Sequence, residues 1–271
     1  MTRAGSWARC ALAAATAAGV AQAVSRWART ESFPGGARRW ERTNHAGEPV
    51  TLAEGLALAA GSAAPLAVLD PPGALAVLGA AGAGAVDDLA GDHGAKGLRG
   101  HLRALRRGQV TTGAVKILLL GATGLGAAAW SDRAAGRGPS PSTLVAGALV
   151  AGSANLANLL DLRPGRALKA GLACALPLTL SGSAPAASVT GAGLAALPDD
   201  LRGRSMLGDT GANPLGAAVG LAAAQVLGTR GRLATLAVVT ALNLASERVS
   251  FSAVIERHEL LRRVDAWGRP A

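Results

Sequence analysis

Nine apolar runs, separated by short polar loops, limit what this chain can fold into. They lie near 8 to 25, 51 to 69, 73 to 86, 111 to 130, 142 to 157, 169 to 182, 185 to 197, 214 to 228 and 233 to 247. Segments of this length suit transmembrane helices, and a bilayer admits only helices or closed barrels because no water is present to satisfy the backbone. The expected fold is therefore all-α, a polytopic integral membrane bundle of about nine helices. Ala, Leu, Val and Gly supply most of the apolar residues, and small residues let membrane helices pack closely. We expect residues 1–247 to form the membrane domain and 248–271 a cytoplasmic tail. That tail carries Val249, Phe251, Ile255, Leu260, Leu261, Val264 and Trp267 among Arg and Glu, and reads as an amphipathic helix lying along the bilayer surface.

Charge sets the expected orientation. With nine crossings, the loops 26–50, 87–110, 158–168, 198–213 and the tail share one side and hold 19 Arg or Lys, against six on the other. The positive-inside rule places the richer side in the cytoplasm of a cell-membrane protein. The net charge of +10 lies in these loops, so membrane lipids are the expected partner of the basic residues and no nucleic acid is expected. Arg3 and Arg9 ahead of the first Ala-rich run resemble a signal peptide, but the basic loop and further spans that follow favour a signal anchor or an ordinary span. Cys10 and Cys174 lack metal-ligand spacing, and the four His fall in loops where solvation is the ordinary reading.

The paired acidic and amide chemistry falls on the same side as the basic loops, although neither was used to place the other. Asn44-His45-Ala46-Gly47-Glu48-Pro49 precedes the second run. Asp87 and Asp88 end the third, and two carboxylates at a membrane boundary are costly without a shared proton or cation. A divalent metal with phosphate oxygens satisfies them, and Mg²⁺ commonly takes one or two carboxylates in this way. Lys96, freed by Gly94 and Gly97, leads a basic cluster suited to phosphate or anionic headgroups. Asn155, Asn158 and Asp161 recur every three residues and share a helix face, as groups able to bond a base, ribose or diphosphate. In Gly208-Asp209-Thr210-Gly211 the glycines admit a phosphate to a helix start, and Asp209 is the expected metal ligand. Asp199 and Asp200 read first as a helix start.

At Asp87-Asp88 with Lys96-Gly97-Leu98, at Asn155, Asn158 and Asp161, and at Met206-Leu207-Gly208-Asp209-Thr210-Gly211, the chain resembles the polyprenyl-phosphate N-acetylhexosamine-1-phosphate transferase family, which includes the phospho-N-acetylmuramoyl-pentapeptide transferases. The resemblance spans roughly residues 40 to 216. It implies a Mg²⁺-dependent enzyme in which a polyprenyl phosphate attacks a UDP-sugar and UMP leaves, in cell-envelope polysaccharide or peptidoglycan precursor synthesis. It implies Asp87 as base toward the lipid phosphate, Asp88 as its neighbour in the metal and phosphate site, and Lys96 as a phosphate holder. Asn155, Asn158 and Asp161 would face the nucleotide diphosphate, and Asp209 would bind Mg²⁺. Where the family continues Gly-Leu-Asp-Gly after this aspartate, the chain has Leu162-Arg163-Pro164-Gly165-Arg166, and the family's His-rich loop is missing. Arg163 and Arg166 are therefore expected to reach the diphosphate themselves. The alternative is a non-catalytic homologue that binds polyprenyl phosphate or nucleotide as a scaffold or regulator. A transporter fits less well, because transporters set polar groups near the midplane. A homodimer is left open.

Overall fold

The computed structural model describes residues 3–34, 36–43, 47, 49–90 and 97–270. Every one of the nine apolar runs is helical. They form α1 (Arg3–Trp27), α2 (Ala53–Leu69), α3 (Pro71–Ala90), α5 (Thr112–Ala134), α6 (Pro141–Leu160), α7 (Arg166–Leu180), α8 (Ala184–Leu201), α9 (Gly208–Val226) and α10 (Thr229–Ser246). Three further helices lie outside these runs: α4 (Gly97–Arg106), α11 (Phe251–Arg257) and α12 (Glu259–Ala266). The architecture is all-α among the described residues, apart from a small hairpin. By length and composition α5 and α6 are apolar enough to cross a membrane, and α10 with α11 makes a third if that pair, bent by 94°, counts as one span.

Helix α9 is the axis of the bundle. It packs against α2, α3, α6, α7 and α8, and nearly every residue from Gly208 to Ala224 is buried. Such enclosure requires backbones to approach closely, and glycine makes this possible. A Cβ on Gly84 of α3 would lie 2.2 Å from the Asp209 carbonyl oxygen, and one on Gly216 would lie 2.1 Å from that of Ser153 in α6. Gly55 of α2 and Gly211 of α9 face each other in the same way. Around these contacts the core is built from alanines with Leu58, Leu66, Leu168, Leu207 and Leu215, all fully buried.

Strand β1 (Glu41–Thr43) pairs antiparallel with β2 (Pro49–Thr51), and Thr51 also bridges Ser205 in parallel. The Met206 N–H donates to the Thr51 carbonyl at 3.1 Å, so this hairpin pins the loop that leads into α9. Trp27, Phe33 and Trp40 stack edge to face beside it. Two local expectations differ. The basic stretch after residue 96 forms α4 rather than a loop. The tail is two short helices broken at His258, with Ser250 capping α11 through the Ala253 N–H.

The glycine contacts make a stability prediction. A Cβ on Gly191 of α8 would lie 2.0 Å from the Ala14 carbonyl oxygen of α1, whereas one on Gly82 would meet nothing within 4 Å. Gly191→Ala is expected to cost about 1–3 kcal/mol through overpacking. Gly82→Ala is expected to be neutral or slightly stabilising, as thermal unfolding of the two variants in detergent will show.

Candidate functional site

The up-and-down order of the helices brings alternate ends together. The C-terminal ends of α3, α6 and α8 meet the N-terminal ends of α5, α7 and α9, and these ends carry the acidic and amide residues. Because Gly208 has φ +58°, the chain can turn sharply into α9, and a side chain there would run into Leu52 and Asp88.

Asp88 spends both carboxylate oxygens on that helix start. It accepts from the Asp209 N–H at 3.1 Å, the Thr210 N–H at 2.8 Å and the Thr210 hydroxyl at 2.6 Å. The first N–H groups of a helix have no partner within it, and a carboxylate there also meets the positive end of the helix dipole. Arg42 from the hairpin donates to the Asp88 carbonyl at 2.7 Å. Asp88 therefore fastens α3 to α9.

That fastening sets Asp209 beside Asp87, with the two carboxyl groups within hydrogen-bond reach of each other. Lys116, one turn into α5, reaches both. Its ammonium contacts Asp209 directly and stands 3.7 Å from Asp87. The lysine is buried at 6% exposure, while Asp87 and Asp209 remain partly open. Lys116 belongs to no motif in the sequence. Its signal was a single cation inside an apolar run, which is costly unless it has an acidic partner.

Beside this cluster opens a cavity of about 410 Å³ lined by Asp87, Lys116, Asn155, Asn158 and Asn243 among others. Asn155 donates to Asn243 of α10 at 2.6 Å, and Asn243 in turn donates to the Gly152 carbonyl at 3.0 Å, so this edge of the cavity is held in place. Asp161 follows α6 and lies behind the cluster, where it accepts from the Gly208 N–H. Enclosure by protein pushes its carboxyl well above the usual range, and Asp200, Asp209 and Asp88 push the same way. With Asp200 it lines a second cavity of about 180 Å³.

Arg166 lies elsewhere. It is 5% exposed, and its guanidinium makes a two-pronged contact with Asp265 of the tail at 2.7 and 3.0 Å and donates to Ser252 at 2.8 Å. Lys169 donates to the Val264, Asp265 and Trp267 carbonyls, Arg269 donates to the Pro164 carbonyl at 2.8 Å, and Arg163 meets Glu256 at 3.3 Å. The basic residues after Asp161 thus hold the tail. Lys96 lies outside the described residues, as do Asn44, His45, Ala46 and Glu48 of the first motif and His93.

Among the described residues no group of three His, Cys, Asp or Glu could by itself hold a metal ion. Asp87 and Asp209 nevertheless fit Mg²⁺, which takes one or two carboxylates and fills its remaining positions with water and phosphate oxygens. The Lys116 ammonium lies against the same two carboxylates.

The tail contact yields a prediction with a definite sign. Burial by itself would raise the Asp265 carboxyl, but Arg166 and Arg269 hold it below the ordinary range. A carboxyl lowered in this way stabilises docking above its unfolded pKa of about 3.9, and the contribution is lost as pH falls through the lower docked value. Protection factors across 251–266, taken relative to intrinsic exchange at each pH, should be high at neutral pH and fall below about pH 4, and Asp265→Asn should lower them already at neutral pH. The chain's sequence matches no model of a known protein family and no curated protein.

Proposed function

We propose that this chain is a membrane glycosyl-1-phosphate transferase, moving a sugar-1-phosphate from a UDP-sugar to a polyprenyl phosphate with release of UMP. The supporting observation is the convergence of Asp87, Asp209 and Lys116 at the mouth of a cavity edged by Asn155 and Asn158. In this reading all nine long apolar helices cross the cell membrane, with the motif end and the tail in the cytoplasm, as the loop charges require. The Ala- and Gly-rich helices would cross as inner members of the bundle, buried against α5, α6 and one another.

Phosphoryl transfer asks a protein for positioning and charge neutralisation more than for covalent help. A lipid phosphate oxygen forms a bond to the β-phosphorus of the donor, and the anhydride bond to the α-phosphate breaks as UMP leaves. Asp87 is the acceptor for any proton still on the lipid phosphate. Lys116 supplies a buried positive charge to phosphate oxygens, and in a site closed to water such a charge acts strongly. Asn155 and Asn158 offer amide groups to the nucleotide, whereas Asp161, which lines the separate cavity with Asp200, acts through the Gly208 N–H at the start of α9. Asp209, with Asp87, would hold Mg²⁺, whose chemistry is to neutralise phosphate charge. Asp88 acts through the backbone of α9, by fixing where Asp209 stands. The product would feed cell-envelope polysaccharide or peptidoglycan precursor synthesis.

Release of UMP from a panel of UDP-sugars, with polyprenyl phosphate and Mg²⁺, tests the reading. Asp209→Asn and Lys116→Met are each expected to lower turnover by about 100-fold or more, with the fold retained. A protein that binds nucleotide or lipid but turns over no donor would be a scaffold or regulator instead.

A further inference from the structure

Helix α12 turns a carboxylate inward and leaves a row of large apolar side chains uncovered. Leu260 and Val264 stand one turn apart on it, and Trp267 follows at its end; they are 74%, 57% and 75% exposed. Residues at i, i+4 and i+7 share a helix face. Asp265 lies about 100° round from Val264 and is the residue that Arg166 grips, so the apolar row faces a different way from the grip. In α11, by contrast, Phe251, Val254 and Ile255 are half-buried.

The acids of α11 and α12 are already paired. Glu256 meets Arg163 at 3.3 Å, Glu259 pairs with Arg263 one turn on, and Asp265 is held by Arg166 with Arg269 beside it. Arg257 and Arg262 are exposed and make no ion pair among the described residues. The uncovered surface is therefore apolar with free cations next to it, which complements a layer of lipid phosphates over hydrocarbon.

Two features set this surface at the edge of a bilayer. The segment that grips α12, from Pro164 to Lys169, follows shortly after α6, which is apolar and long enough to cross a membrane. Helix α11 is turned by 94° from α10, so where α10 crosses a membrane α11 runs along its surface. We propose that α12 docks on an anionic bilayer surface at the motif end of the bundle, with Leu260, Val264 and Trp267 in the headgroup–acyl boundary and Arg257 and Arg262 on lipid phosphates. The inserting row is confined to α12, and Asp265 stays on the protein side. This docking needs a bundle that crosses a membrane but is independent of the reaction proposed above.

The test uses the full chain in nanodiscs of phosphatidylglycerol or phosphatidylcholine, with ordinary acyl chains or brominated ones that quench tryptophan on contact. The Trp267 share of the emission is the difference between wild type and Trp267→Phe. Trp130, exposed near the end of α5, gives the matching control through Trp130→Phe. Trp267 emission is expected to be lost in brominated phosphatidylglycerol discs and to return when Leu260→Ser and Val264→Ser, both at exposed positions, are combined. Protection of 259–266 from hydrogen exchange should be higher in phosphatidylglycerol than in phosphatidylcholine, and Arg257→Gln with Arg262→Gln should abolish that difference. Quenching of Trp130 without quenching of Trp267 overturns the docking and leaves the membrane bundle standing, whereas quenching of neither overturns both. Equal protection of the wild type in the two lipids overturns the anionic surface as the partner. An unquenched Trp267 together with disulfide cross-linking of Leu260→Cys between two chains makes the row an interface between copies, and overturns the proposal as well.

Discussion

The start of α9 lies inside the protein, and its free N–H groups must find partners there. Asp88 meets this need from a different helix, with both oxygens on the Asp209 and Thr210 amides and the Thr210 hydroxyl. The contact works only because Gly84 lets α3 approach the α9 backbone and Gly208 takes a left-handed turn. Once α3 and α9 are fixed in this way, Asp87 and Asp209 are neighbours, and two close carboxylates demand a cation. Lys116 supplies one from α5. Close packing, helix capping and charge pairing are therefore one arrangement, and a change at Asp88 would disturb a cluster whose charged groups it does not touch.

Much of this was legible in the sequence for a simple reason. Apolar runs bounded by turn residues and charge report helices directly, and the structure places a helix at each of the nine. The convergence of Asp87, Asp88, Asp161 and Asp209 at one end follows from counting alternate helices. Less legible were features that depend on a single side chain or a distant partner. Lys116 is one cation in an apolar run, and its meaning appears only when Asp209, 93 residues on, stands against it. The break at His258 and the hairpin around Thr51 rest on local backbone bonds that no periodicity signals. Asp88 and Asp87 look alike in sequence, yet one is spent on a helix start and the other faces a cavity.

Charge balance separates the two cavities that flank α2 and α9. At the Asp87 and Asp209 cluster one lysine stands against two acids, beside the amides of Asn155 and Asn158. At Glu54 the charged groups acting most strongly are Asp200, Asp161 and Asp199, and Arg26 and Arg29 stand farther out in the lining of a cavity between α1, α2 and α8. The Ser205–Gly208 segment runs between them, bonded to Glu54 through Ser205 and to Asp161 through Gly208. One short stretch of chain thus borders two electrostatic environments.

The segment after Asp161 has a physical purpose in the structure. Pro164, Gly165, Arg166 and Lys169 are gripped from two directions: Asp200 takes the Gly165 N–H at 3.1 Å, and the tail engages the other three. A two-pronged arginine–carboxylate pair that is nearly buried is geometrically demanding, so the tail settles in one place. Asp161 sits at the root of this segment, and its position is therefore set partly by residues near the end of the chain. The same tail leaves the side chains of Leu260, Val264 and Trp267 exposed.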